Sequence, residues 1–236
     1  MTTICSWNLN GVRSVCNSLD LREFIAAQGL DILCVQETKI DAEALAKFEV
    51  ERPSGHSLRY LLDAFDSHWA FCETKKGYCG VATWVRRGML AAVTVGFGFD
   101  ANDEHLSAGL VDNFATSGRV LVTDHGEFVL FNLYFPNTNR GEEAIATKVK
   151  FQLSLERRVR QLTDQGRRVI VFGDVNIVPE KIDTTRPSKV DDGDSHCYLP
   201  QERDWLARVC SDLLVDAFRK LYPDRAEFTF HSPKTS

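Results

Sequence analysis

Four apolar runs in this chain each end in a carboxylate, an amide or a phenol, and that repeated ending constrains its fold most. Thr3-Ile4-Cys5-Ser6-Trp7 runs into Asn8, and Asp31-Ile32-Leu33-Cys34-Val35 runs into Gln36-Glu37. Glu127-Phe128-Val129-Leu130-Phe131-Asn132-Leu133 meets Tyr134, and Arg167-Arg168-Val169-Ile170-Val171-Phe172 meets Gly173-Asp174-Val175-Asn176. Short runs rich in β-branched and aromatic residues read as buried strands. Strand ends that deliver acids and amides into one crevice are where α/β enzymes build their sites. Four such ends, each able to hold a metal or a phosphate, point to a hydrolytic centre.

Helical patterns separate these strands. Leu19 to Gln28 carries Leu21, Phe24 and Ile25 on one face and stops at Gly29. Residues 41–49 read as a short helix, and Glu142 to Gln165 is the clearest one, with Phe151, Leu155, Val159 and Leu162 in a stripe. Segments 68–73, 79–85, 89–95, 118–123 and 127–134 read as further strands. Glu51–Ser67 and Gly96–Ser117 read as loops, 184–198 as polar loop, and 201–222 as helix broken near Leu213. Gln28-Gly29 before the Glu37 strand echoes Gln165-Gly166 before the Asp174 strand. Two related halves, or simply two αβ units, would give that echo. The expected fold is α/β: two packed mixed or antiparallel sheets flanked by helices, a four-layer sandwich.

With 236 residues the chain is expected to form a single domain over 1–236. No apolar stretch approaches the ~18–20 residues of a membrane span, and the first strand begins at once, which leaves no room for a signal peptide. The seven cysteines are scattered and form no CxxC pair, so reduced thiols in the nucleus or cytoplasm are expected, without zinc or a membrane, in a monomer. The net charge of −5 does not exclude an anionic partner, because an acid-rich metal centre would itself supply several negatives.

Asp174 and Asn176, two apart in extended chain, share a face. The acid can orient a water and the amide can hold a phosphate oxygen, although Gly-Asp-x-Asn could equally cap a turn. Asp183 is expected to hold this loop. Asn8 and Asn10 repeat the two-residue spacing before Gly11. Glu37 offers a carboxylate to a hard cation, and Mg²⁺ takes one or two protein carboxylates and keeps several waters. Tyr134 can hydrogen-bond a phosphoryl oxygen, or ionise if its pKa is lowered. Gly77-Tyr78 offers an exposed aromatic on a flexible turn.

Together Trp-Asn-x-Asn-Gly, Gln-Glu-Thr-Lys, Gly-Tyr-x-Gly-Val-Ala, Tyr-x-Pro-Asn and Gly-Asp-x-Asn occur in one order. That order resembles the exonuclease III-like abasic-site endonucleases of the endonuclease/exonuclease/phosphatase superfamily. The helix around Phe151 to Arg160 and the segment Gly173–Asp183 are most similar to the eukaryotic second abasic endonuclease branch. The resemblance implies Mg²⁺ or Mn²⁺ at Asn10 and Glu37, with Asn10 standing where some relatives carry Asp. It implies phosphate held by Asn8 and Asn137, contact or activation by Tyr134, and water handled by Asp174 beside Asn176. Arg13, Lys39, Gly77, Tyr78 and Arg119 match DNA-contacting positions. Phe230 matches the pocket for a sugar lacking its base, and His231 stands where an aromatic is usual.

The implied substrates are DNA with abasic sites or damaged 3′ ends. The alternatives are a phosphodiesterase acting on RNA or phospholipid, and an inactive DNA-binding form. The family continues with an Arg-x-Asp-Tyr strand and a Ser-Asp-His segment, neither of which occurs here. The expectation is therefore a domain incomplete at its C-terminus, with strands missing and little activity.

Overall fold

In this computed structural model, residues 2–51, 63–88, 94–99, 114–193 and 195–230 are described. Cα proximity divides the chain into two compact units. One comprises Met1–Phe135 with Gln161–Val175, and the other Pro136–Arg160 with Asn176–Ser236.

Among the described residues the first unit contains all the strands. They are β1 (Ile4–Asn8), β2 (Ile32–Gln36), β3 (Phe65–Ala70), β4 (Val81–Arg86), β5 (Thr94–Phe97), β6 (Val120–Asp124), β7 (Val129–Tyr134) and β8 (Val169–Asp174). They form two four-stranded sheets, ordered β1-β2-β4-β3 and β5-β6-β7-β8. Each is mixed. β1 runs parallel to β2 and β7 parallel to β8, while every other pair is antiparallel. The two-sheet α/β expectation is borne out.

The sheets pack face to face, and residue parity assigns the faces. Ile32, Cys34 and Val85 cluster with Leu130, Ile4, Ile170 and Phe172 between the sheets. The alternate residues Leu33, Val35, Ala82 and Trp84 face helices α1 (Val12–Ser18), α2 (Leu21–Ala27) and α3 (Ala42–Glu51), where Val12, Cys16, Leu21, Ile25 and Leu45 close the core. Each fully buried aliphatic side chain is worth about 1.5–3 kcal/mol, and a register slip in β2 would exchange its inter-sheet row with its helix-facing row and misfit both.

A polar network crosses this apolar interface. Gln36 Nε2 donates to Asn132 Oδ1 at 2.8 Å and to Ser6 Oγ at 3.1 Å. Asn132 Nδ2 donates to the Ala82 carbonyl at 2.7 Å and to Thr83 Oγ1 at 3.2 Å. Both amides are almost completely buried. Since a buried amide without partners costs about 1–3 kcal/mol, the network fixes how one sheet lies on the other.

Several boundaries move from the sequence reading. The sequence pattern marks no element at α1. Its Gly11 N-cap makes no side-chain bond, and what holds it is the burial of Val12 and Cys16 with Val12 N–H on the Thr38 carbonyl. β3 begins at 65 rather than 68 and has exposed or half-buried positions at its centre. The 89–95 segment is described only from 94, where β5 extends to Phe97 inside the stretch read as loop; residues 52–62, 89–93 and 100–113 lie outside the described residues. β1 and β8 are half-buried rather than fully buried, because each is the end strand of its sheet among the described residues.

The Gly29 and Gly166 echo has a physical basis. Both helix ends close by the same pair of bonds, Gly29 N–H to Ala26 and Leu30 N–H to Ile25, and Gly166 N–H to Thr163 and Arg167 N–H to Leu162. Both lead into the second strand of a parallel pair. Their places differ, however, since β2 is internal and β8 is an end strand.

The second unit is helical. It holds most of α4 (Glu142–Asp164), then α5 (Ser188–Asp192), α6 (Pro200–Asp212) and α7 (Ala217–Leu221). α5 and a 3₁₀ turn at Lys181–Asp183 lie where a loop was read, and the break at Leu213 is observed. Lys148 Nζ, on α4, meets Glu202 Oε2 of α6 at 2.9 Å, with both side chains 1% exposed.

Candidate active site

The four strand ends of the sequence argument converge inside the first unit. Asn8 pairs with Gln36 across β1 and β2, and Tyr134 pairs with Asp174 across β7 and β8. Strands β1 and β8 also lie against each other. Parallel pairing makes the carboxyl ends of both pairs emerge together.

Asn8 ties the ends to one another. Its Nδ2 donates to Glu37 Oε1 at 2.9 Å and to Asp174 Oδ2 at 2.8 Å. Its Oδ1 accepts the Asn10 N–H at 3.0 Å. One amide therefore bridges two carboxylates that lie 137 positions apart (174 − 37) in sequence. Lys39 Nζ pairs with Glu37 Oε2 at 2.8 Å and also donates to Asn10 Oδ1.

Burial works to raise the Glu37 carboxyl. Hydrogen bonds from Lys39 and Asn8, the Lys39 charge and the Tyr134 hydroxyl outweigh it and hold the group below its ordinary value. Tyr134 moves the other way. Burial, then the facing Glu37 carboxylate, raises its phenol despite the Arg119 charge. Of the two expected behaviours of Tyr134, hydrogen bonding and ionising, this direction favours the first, and its hydroxyl bonds the Glu37 carboxylate.

Arg119 stands with its guanidinium 4.7 Å from the Tyr134 ring centre and 5.8 Å from that of Tyr78. It donates to the Tyr134 and Phe135 carbonyls and to the Tyr78 hydroxyl. Lys75 Nζ lies 4.8 Å from the Tyr78 ring centre on the same turn. Tyr78 is consequently half-buried rather than exposed, and Arg119 is braced by the protein before any ligand arrives. Arg13 on α1 and Gly77 are exposed.

The remaining expected residues belong to the second unit. Asn137 is half-buried. Asn176 has φ 51°, and its carbonyl accepts from Lys148 Nζ at 2.7 Å. Asp183 accepts the Glu180 N–H at 3.1 Å and pairs with Arg219, in keeping with an acid that holds its loop. Phe230 is 80% exposed, and His231 lies outside the described residues. The sequence reading missed Asn132 and the Lys148–Glu202 pair. For Asn132, the visible signal was an amide interrupting an apolar run.

Among the described residues no group of three His, Cys, Asp or Glu side chains could hold a metal. The oxygen set nonetheless suits a hard cation that keeps most of its waters. The Lys39 ammonium already acts as a stand-in, since Glu37 Oε2 and Asn10 Oδ1 both receive it.

The model of the Endonuclease/Exonuclease/phosphatase family matches residues 5–235. An exodeoxyribonuclease of Bacillus subtilis (strain 168) is 28% identical over 221 residues, covering 94% of this chain and 76% of the relative. A DNA-(apurinic or apyrimidinic site) endonuclease 2 of Mus musculus is 25% identical over 266 residues, covering 94% of this chain and 49% of the relative. The crystal structure of an AP endonuclease from Leishmania major superposes with a TM-score of 0.75 at 23% identity, covering 99% of this chain and 73% of that one.

Proposed function

The chain belongs to the endonuclease/exonuclease/phosphatase family, and from that premise we propose that it is a DNA-repair nuclease hydrolysing phosphodiesters at abasic sites and damaged 3′ ends. The observation that carries the reading is the Asn8 amide bridging Glu37 and Asp174. In this reading the two N–H bonds of Asn8 tie the metal-type carboxylate Glu37 to the water-handling carboxylate Asp174.

Mg²⁺ or Mn²⁺ held by Glu37 and Asn10 would supply charge neutralisation to the phosphate. Asp174 orients the attacking water and takes its proton as the P–O bond to the departing sugar oxygen breaks and leaves a 3′-hydroxyl, and Tyr134 donates to a phosphoryl oxygen once its hydroxyl turns from Glu37. Arg119 keeps Tyr134 in place by covering its ring and bonding its carbonyl. Asn137 and Asn176 join this set on the strength of the family motifs alone. Tyr78, Gly77, Lys39, Arg13 and Phe230 form the proposed DNA contacts of a monomeric protein. Among the described residues no helix is long and apolar enough to cross a membrane.

The test is nicking of an abasic duplex oligonucleotide with Mg²⁺ and with EDTA. Glu37→Gln should cut the metal-dependent rate by about 10²-fold or more, the scale of losing a stabiliser of the transition-state charge. Asp174→Asn should lower turnover with little change in DNA affinity, as for a group needed mainly in the transition state. Metal-independent cleavage, or equal losses of affinity and turnover on Asp174→Asn, would refute these roles.

A further inference from the structure

The two oxygens assigned to a divalent cation are not idle in this structure. Glu37 Oε2 lies 2.8 Å from Lys39 Nζ, and Asn10 Oδ1 accepts from the same ammonium. We infer that Lys39 is the internal competitor of the metal: its ammonium occupies the cation position in the metal-free protein and must leave when a divalent ion binds. The inference rests on the reading of Glu37 and Asn10 as metal ligands.

Sterics and charge both require exchange rather than sharing. A divalent ion such as Mg²⁺ takes its oxygens at about 2.0–2.1 Å, and Glu37 Oε2 cannot meet the ion there while holding an ammonium on the same side. A cation left next to a divalent one would weaken its binding by about tenfold, taking ~5 Å and a water-like dielectric.

The surroundings allow the swap. The Lys39 side chain is 37% exposed, against 19% for Glu37, so the ammonium can swing to solvent. The ligands stay behind, because Glu37 Oε1 remains held by Asn8. The backbone between them is pinned by Thr38 N–H on the Gly80 carbonyl and Lys39 N–H on the Cys79 carbonyl. The displaced charge then becomes available to an anionic phosphate beside the metal. Lys39 thus lowers metal affinity while keeping Glu37 and Asn10 gathered for the ion that replaces it.

The experiment titrates Mn²⁺ into the full chain without DNA, reading free Mn²⁺ by electron paramagnetic resonance. Lys39→Met keeps the stem and the backbone conformation but removes the charge, and Lys39→Gln is a second neutral variant. Both should bind Mn²⁺ about five- to tenfold more tightly than the parent chain. Unchanged or weaker binding in both variants would overturn the inference and make Lys39 a mere prop for its neighbours. Glu37→Gln, run in parallel, separates the two levels: if it removes no saturable Mn²⁺ binding, the metal reading itself fails and the inference falls with it.

Discussion

Gly173, the residue before Asp174, should tolerate no side chain, and replacing it links backbone packing to the site. Its φ is +141°, and a Cβ built there would lie 1.9 Å from the Leu133 carbonyl oxygen, 2.7 Å from its carbon and 2.9 Å from its nitrogen. Leu133 is its direct partner in the parallel β7–β8 ladder, so no flexible side chain can give way. β8 would have to move off β7 by about 1 Å or more. Overpacking of this kind costs about 1–3 kcal/mol, and a non-glycine residue held in such a backbone region costs about 1–3 kcal/mol. Gly173→Ala should therefore destabilise by about 2–6 kcal/mol, a large part of the ~5–15 kcal/mol of an ordinary domain.

Gly126→Ala is the internal control. Its φ is +78° with nothing within 4 Å of the added Cβ, so only the backbone term of about 1–2 kcal/mol applies. Equilibrium urea unfolding of both variants, with matched m-values, reads the difference. A Gly173→Ala loss no larger than that of Gly126→Ala would show that the β7–β8 approach is not as close as described. Asp174, the next residue and the partner of Tyr134 in the same ladder, would then not depend on a side-chain-free position 173.

Three further outcomes concern buried and half-buried polar groups. Asn132→Leu should cost about 1–3 kcal/mol in the same urea assay, because the Gln36 amide loses its cross-sheet acceptor; an unchanged midpoint would mean that the network is dispensable. Lys148→Met should cost about 3–5 kcal/mol by leaving Glu202 buried without its cation, whereas Lys148→Met with Glu202→Leu should recover most of that loss; additive losses would refute the pairing. Glu156 is held below its ordinary value chiefly by Arg208, with Trp205 and Arg160 adding to it against the cost of burial. A depressed carboxyl stabilises above its unfolded value of about 4.3 and loses that contribution as pH falls through the lower folded value. The melting temperature of Glu156→Gln should thus lie below that of the parent at pH 7 and converge with it below about pH 4; a gap that persists in acid would assign the effect to packing.

The fold was legible where local pattern and tertiary demand agree. β2 and β7 are apolar on both faces because both faces are covered, and the acids, amides and phenol at the strand ends mark where cover stops. α4 was legible because a four-residue stripe fixes its buried face. α1 was not, since its seven residues carry only two buried side chains and its start is bonded to Thr38, far along the chain. β3 was displaced because its half-buried centre blurs the alternation that would mark its first residues. The site residues were legible as types at strand ends and as family motifs, but their wiring was not. Nothing in the spacing of Asn8, Glu37 and Asp174 says that one amide joins the two carboxylates. Nor does the place of Arg119 in the sequence say that its guanidinium lies near two tyrosine rings.

What distinguishes the site from the surrounding framework is where the backbone breaks its own rules. Asn10, Glu37 and Lys39 have φ of 51°, 50° and 50°, a region in which a residue with a side chain costs about 1–3 kcal/mol. Asparagine tolerates it, whereas glutamate and lysine lack the short polar side chain that bonds the neighbouring backbone there. The strain persists because the turn is fixed from both directions. Leu9 N–H bonds the Gln36 carbonyl and Val12 N–H the Thr38 carbonyl, while Thr38 and Lys39 donate to Gly80 and Cys79. Those bonds draw on the β1, β2 and β4 ends together, so the sheet that sets the fold also holds the turn. In a relaxed extended path Glu37 and Lys39, two apart, would stand on one face of a strand but roughly 6.6–6.8 Å from each other. The left-handed kink instead brings a carboxylate, its cation and the Asn10 oxygen to one point. The local cost is thus spent on gathering oxygens where a cation is to be exchanged, and strain of this kind concentrates at functional sites.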